Sequence, residues 1–171
     1  MNIETRVHAD HAQALRLWLR LLTCTQLVER QVRSALRAQW DTTLPRFDLM
    51  AQLERAPEGL KMNDLSRRMM VTGGNVTGIT DQLVAQGWVE RVAVAGDRRA
   101  FLVRLTPQGR SGFAHMALAH EAWIVQAFAE LSEKDMASLH MLLGRVKEAA
   151  SRLALESPAM EPGPTALVPT H

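Results

Sequence analysis

The chain reads as mainly α-helical with a small β-wing, the pattern of a winged helix-turn-helix, and three observations predict this fold class. Two short amphipathic helical patterns follow one another between Met62 and Gln86. A strand-turn-strand pattern with a basic tip comes directly after them, and long helical periodicities flank the whole stretch on both sides.

The first long helix is expected from about Ala12 to Ala38, with Leu15, Trp18, Leu19 and Leu22 on a side that packs inward. Arg16 and Arg20 form an i, i+4 pair on it, and Arg30, Arg33 and Arg37 follow i, i+3, i+7 spacing. These arginines are either a solvated face or a surface for a polyanionic ligand, since guanidinium groups bind phosphates with paired hydrogen bonds. A second helix starts near Thr43 with Pro45 in its first turn. Leu44, Phe47, Leu49, Met50 and Leu53 surround most of its circumference, so it must be covered on several sides.

The next helical pattern puts Met62, Leu65 and Met69 on one stripe while Arg67 and Arg68 project away, which suits a supporting helix. After a turn at Val71 and Thr72, Val76, Ile79 and Leu83 form an inner stripe. Gly74, Thr77, Gly78 and Asp81 occupy the opposite face, flanked by Asn75 and Gln82. A small polar face suits entry into a major groove. A glycine within a helix costs about 1 kcal/mol relative to alanine, so close approach to DNA phosphates is one compensation for two of them. The alternative is an irregular helix start at Gly73 and Gly74 and a tight helix-helix contact at Gly78.

Trp88 to Val92 and Phe101 to Leu105 read as strands joined by AVAGDRR, with Gly96 and Asp97 as turn residues. Arg98 and Arg99 at the tip could enter a neighbouring minor groove, with Asp97 holding an arginine by a charge-assisted hydrogen bond. The other reading is a solvated turn.

Thr106 and Pro107 open another helix as N-cap and N1 proline, with Phe113, Met116, Ala117, His120, Ile124, Ala127 and Phe128 as its apolar stripe. Ser132 and Asp135 form a loose capping box for a final helix. In it Met136, Leu139, Leu143, Val146, Ala150 and Leu153 alternate steps of three and four, the spacing of a helix-helix seam or of buried packing within the chain. Beyond Leu155 the chain holds four of its seven prolines and no periodicity, as a disordered tail does.

The helix pair from Met62 to Gln86, the GWVER entry to the wing, the DRR tip at Asp97 to Arg99 and the RLTPQG exit at Arg104 to Gly109 together resemble the MarR-type transcriptional regulators. With the flanking helices, the resemblance extends over roughly residues 12 to 155. Ala95-Gly96 departs from the proline many members carry at the wing tip, and TGGNVTG replaces a commoner serine-rich helix start. The resemblance implies a dimer on double-stranded DNA, with residues 1–43 as N-terminal dimerisation helix and ligand-pocket wall and 44–110 as the winged helix-turn-helix. Residues 111–155 would be C-terminal dimerisation helices and 156–171 the proline-rich tail. A two-fold dimer sets its recognition helices about 34 Å apart, which implies a pseudo-palindromic operator.

In that family the first two helices line the effector pocket, which draws attention to Arg46 and Asp48 on an otherwise apolar helix. Arg46 beside Phe47, Met50 and Trp18 would suit an aromatic acid or its thioester; alternatively it caps or pairs at the surface. LPRFDLMAQL together with TGGNVTG resembles the subgroup that senses hydroxycinnamoyl-coenzyme A thioesters and represses genes of aromatic breakdown, which would give Arg16 and Arg20 a polyanionic ligand. Free aromatic carboxylates are the competing effectors.

Composition fits one core of 171 residues with 47% apolar content, no membrane-spanning run and no signal peptide, hence a cytoplasmic regulator. Net charge is only +2, yet Lys61 to Arg110 carries +4 and the remainder −2. The six histidines show no structural-zinc or zincin spacing, so no metal or other cofactor is expected. Ser111 in GRSG lacks the setting of a nucleophile elbow and no phosphate loop precedes a lysine, so no enzyme is expected either. Cys24 excludes an internal disulfide; some MarR-type proteins sense peroxide through a lone cysteine, but a small buried residue is the favoured reading here. A helical protein-interaction module that reuses the fold is the reading from a different class of function, and it predicts no salt-dependent duplex binding.

Overall fold

The computed structural model describes residues 3–94 and 97–156, with the side chains of residues 3–11, 97–100 and 154–156 excepted. The chain divides into two compact units, Met1–Ala127 and Phe128–His171. The proline-rich tail expected from 156 onward falls almost wholly outside the described residues.

The first unit opens with α1, Ile3–Trp40, longer at both ends than periodicity predicts. Among its described side chains the second half enters the core: Val32 and Leu36 are buried, with Val28 and Trp40 packed beside them at i, i+4 steps. The inward side expected of Leu15, Trp18, Leu19 and Leu22 is corrected, for Trp18 is 55% and Leu15 58% exposed. Arg33 pairs with Glu29 at 2.7 Å and Arg37 with Asp41 at 3.2 Å, as on a solvated face. Cys24 is exposed, which overturns the buried reading.

Thr43 precedes α2, Leu44–Glu54, whose Pro45 lies in the first turn where a missing N–H costs nothing. Phe47, Leu49, Met50 and Leu53 are all buried, so α2 is the central post of the unit. Around it stand α3, Met62–Met69, and α4, Gly73–Ala85, joined by a turn in which Met70 adopts a left-handed conformation with φ 54°. The Ser66 hydroxyl donates to the Val71 carbonyl at 2.6 Å and holds that turn closed.

A three-stranded antiparallel sheet, in the order β1-β3-β2, follows from β1 at Leu60–Lys61, β2 at Val89–Val94 and β3 at Asp97–Leu105. The hairpin is longer than predicted because Val92 and Val94 continue the alternation and the backbone of Asp97 pairs with Val94. Asp97, Arg98 and Arg99 therefore lie in β3 rather than in a seven-residue connection. Cross-strand partners Glu90 and Arg104 also pair through side chains, Arg104 Nε donating to Glu90 Oε1 at 2.7 Å.

Helix α4 ends in a Schellman arrangement: Gly87, with φ 72°, donates to Val84 O at 2.9 Å and Trp88 donates to Leu83 O at 3.0 Å. The same residues receive α5, Pro107–Ala127. Thr106 N donates to Trp88 O at 3.1 Å, its hydroxyl donates to Gly87 O at 2.7 Å, and Gly109 N donates back to that hydroxyl at 3.0 Å, which is the predicted N-cap. A Cβ on Gly109 would stand 1.8 Å from Trp88 O, and the Trp88 ring lies over Gly112.

Phe47 meets Phe113 at 5.3 Å and His120 at 4.9 Å between ring centroids, and Trp123 meets Trp40 at 5.9 Å. This aromatic cluster joins α1, α2 and α5. Burial in it pushes the His120 imidazole below its usual pKa. Phe128 is not part of the stripe: α5 stops at Ala127, and Phe128 is 38% exposed.

In the second unit, Ser132 Oγ accepts from Asp135 N at 3.2 Å and donates to its carboxylate at 2.6 Å, the capping pair that starts α6, Glu133–Glu156. Its seam residues are exposed, Leu139 by 36%, Val146 by 49% and Leu153 by 65%, so they are not buried within the second unit.

Gly109→Ala should cost about 3 kcal/mol, because the clash is with backbone rather than with a movable side-chain end. Thermal unfolding checks it, and a melting temperature within a degree of the unsubstituted protein would refute the contact. Burial makes His120 harder to protonate in the fold than in the unfolded chain, where it titrates near its usual value. Stability is then complete above about pH 6.5 and declines as pH falls below it. Urea midpoints compared at pH 7.5 and 5.5 should fall less for His120→Gln than for the parent.

Candidate nucleic-acid interface

Basic and small residues gather where α3, α4 and the hairpin share one side of the first unit. The inner stripe of α4 is buried as Val76, Ile79 and Leu83, with Thr80 alongside satisfying its hydroxyl on Val76 O at 2.8 Å. This burial fixes the rotation of the helix. Thr72, Gly74, Asn75, Thr77, Gly78, Asp81 and Gln82 are accordingly exposed.

No heavy atom other than each glycine's immediate surroundings lies within 4 Å of a Cβ built on Gly73, Gly74 or Gly78. The helix-helix contact weighed for Gly78 is thereby excluded within the described residues. Gly73 and Gly74 begin the helix, and Thr72, the N-cap residue, makes no side-chain capping bond. The amide-rich end of α4 therefore faces open space, where its partial positive charge suits an anion.

Three side-chain contacts tie charge to this face. Arg67 pairs with Asp64 at 2.6 Å, and Arg68 beside it is exposed. Arg91 of β2 pairs with Asp81 of α4, which locks the wing to the helix. Arg46 of α2 donates Nε and Nη2 to Gln82 Oε1 at 3.0 and 2.8 Å. A further pair, Arg110 of α5 with Glu54 of α2 at 3.2 Å, ties those two helices together. The side chains of Asp97, Arg98 and Arg99, expected at the wing tip, lie outside the described residues.

The residues expected around an effector do not converge in the single chain. Phe47 and Met50 are core residues, Met50 with no exposed surface, while Arg16, Trp18 and Arg20 project from the first half of α1. Arg46 turns to α4 instead, which is the surface pairing weighed for it. The Asp48 carboxyl, exposed by surface area yet close to α1, is pushed above its usual pKa by desolvation, then by Glu29, with Arg33 opposing. Among the described residues no cluster of three or more metal-ligating side chains occurs.

Sequence reasoning missed the Arg91–Asp81 and Arg46–Gln82 ties. Local periodicity carries no signal for either, since the second joins residues 36 positions apart. The strained Met70, 91% exposed beside the open end of α4, was likewise not singled out.

A sequence model of the MarR family matches residues 40–100. The chain is 29% identical over 104 residues to the HTH-type transcriptional regulator PecS of Dickeya dadantii, covering 60% of this chain and 63%, less than two thirds, of that protein's length. It is 29% identical over 153 residues to the transcriptional activatory protein BadR of Rhodopseudomonas palustris, covering 84% of this chain and 87% of that one. A solved MarR family transcriptional regulator from Silicibacter pomeroyi is 31% identical, with a TM-score of 0.70 over 82% of this chain and 97% of its own. An E. coli MarR mutant complexed with operator DNA is 25% identical with a TM-score of 0.70, over 78% of this chain and 95% of that one.

Gly78→Ala separates folding from binding. With open space around the site, alanine should stabilise the free protein by about 0.5–1 kcal/mol, while any surface that packs on this face loses affinity. Chemical denaturation and duplex anisotropy on the same preparation check it, and improved stability with undiminished duplex binding would remove the face from the interface.

Proposed function

We propose that this chain, which belongs to the MarR family of transcriptional regulators, is a homodimeric repressor released from a pseudo-palindromic operator by an aromatic-acid-derived effector. The observation that carries the DNA-contacting surface is the outer face of α4, whose glycines have no packing partner. On this reading Gly74, Asn75, Thr77, Gly78 and Gln82 enter the major groove, and Arg67, Arg68 and Thr72 hold phosphates beside it. Asp97, Arg98 and Arg99 of the wing take the flanking minor groove. That the E. coli relative was solved with operator DNA supports the reading.

Dimerisation is supported by apolar surface that each of the two units leaves bare within itself. Leu15, Trp18 and Leu19 on α1 and Leu139, Leu143 and Val146 on α6 are all exposed by more than a third. A second copy covering both stripes accounts for them. Residues 1–43 and 111–155 then form the dimer body and 44–110 the DNA-binding head.

The effector reading rests on Arg16, Trp18 and Arg20, exposed on α1; Phe47, Met50 and Arg46 belong to it through the family resemblance, two of them being core residues and the third paired with Gln82. An acyl-coenzyme A thioester suits this set better than a free acid, because two arginines one turn apart match a nucleotide's phosphates and an indole matches an aromatic acyl group. Free aromatic carboxylates are the second effector reading. The exposed Cys24 on the same helix supports a redox alternative, and the name of the Rhodopseudomonas relative, an activatory protein, supports regulation of the opposite sign.

Anisotropy of a labelled duplex from the gene's own upstream region tests the whole. Binding should weaken steeply with salt, by several powers of the salt concentration, as phosphate contacts release counterions. Micromolar p-coumaroyl- or feruloyl-coenzyme A, but not the free acids, should release the duplex. Release by the acids alone would replace the thioester, and release by peroxide that Cys24→Ser abolishes would replace both. Absence of salt-dependent binding would leave a protein-interaction module.

A further inference from the structure

Arg46 and Gln82 meet in a geometry that fixes what Gln82 can offer to a partner. Arg46 sits in the first turn of α2, with Phe47 beside it buried in the core, so its backbone is held firmly. Its partly buried side chain crosses to the exposed face of α4 and places both Nε and Nη2 on Gln82 Oε1, at 3.0 and 2.8 Å. A guanidinium has donors only, so the glutamine amide must turn its oxygen to the arginine. Both donors approach that oxygen from the same side and hold it turned toward Arg46. The amide nitrogen, with two N–H donors and no acceptor beside it among the described residues, is what faces outward.

Asn75, Gly78 and Gln82 follow i, i+3, i+7 spacing and share one line of exposed residues along α4. A free glutamine recognises adenine through a paired contact, accepting from N6 and donating to N7. With its oxygen drawn to Arg46, Gln82 does not turn the paired oxygen and nitrogen edge to adenine. It donates, as a lysine does, to an edge made of acceptors, and guanine with N7 and O6 is the base that presents two of them in the major groove.

We propose that Arg46 is a positioning residue that converts Gln82 into a donor-only reader, selecting guanine over adenine at one base pair in each half-site. The proposal rests on α4 being the helix that contacts DNA. It differs from an effector role for Arg46, which would leave base preference untouched.

The experiment uses the full chain and a set of duplexes in which each base pair of the bound half-site is replaced in turn, with affinities read by anisotropy. The unsubstituted protein should favour guanine roughly tenfold at one position. Gln82→Ala should erase that preference. Arg46→Met, which keeps the aliphatic stem and deletes the donors, should shift the preference at the same position toward adenine; Arg46→Lys, with one donor centre, should fall between. Melting temperatures of all variants accompany the measurement, and a purely structural role would lower affinity equally for every duplex. Such a uniform loss, or preferences indifferent to either substitution, would overturn the proposal while leaving DNA contact by α4 intact. An unsubstituted protein with no positional preference would overturn both.

Discussion

The crossing of the α4–β2 connection with the first turn of α5 is the constraint on which the rest of the head depends. Gly87 turns the chain out of α4 in a conformation that other residues adopt at a cost, and Trp88 passes so close to Gly109 that there is no room for a side chain. Thr106 satisfies the exposed groups on both sides of this contact. Three elements with different tasks, a helix that faces outward, a wing strand and a long helix of the body, are therefore referenced to a single point. Displacement of any one is felt by the other two.

From that point the core explains the orientation of the outward face. Val76, Ile79 and Leu83 can reach the post formed by α2 in one rotation of α4 only, and that rotation turns the glycines and short polar residues to solvent. Arg91 and Arg46 then clasp adjacent residues at the far end of the helix, Asp81 from the wing side and Gln82 from the α2 side. Both partners are exposed, so neither contact adds much to stability. Their effect is geometrical: wing, post and helix are held in one register.

Much of this was legible in the sequence wherever a rule of short range governs. The apolar stripes of α3 and α4, the Thr106-Pro107 start of α5 and the Ser132–Asp135 cap all depend on residues within one or two turns of each other. The two-residue strand β1 was not legible, because it exists through pairing with Val103 and Leu102 some forty positions later. The face of α1 was misassigned for a related reason: amphipathic spacing shows that a stripe will be covered, and does not say by what. Leu15 and Trp18 stay exposed in the first unit, whereas Val28, Val32, Leu36 and Trp40 pack into its core. Arg46 looked like a pocket residue from its apolar neighbours, yet those neighbours point into the core while its own long side chain leaves in the other direction.

The unshielded glycines of α4 carry a consequence for heat and rate. A helix with no side chain over part of its outer surface leaves those backbone hydrogen bonds open to competition from water, so its first turns are weakly protected against local opening. A surface that docks there must order those turns as it binds, at an entropic expense that grows with temperature. Regulation by such a head is thus sensitive to warming well below the temperature at which the core itself gives way.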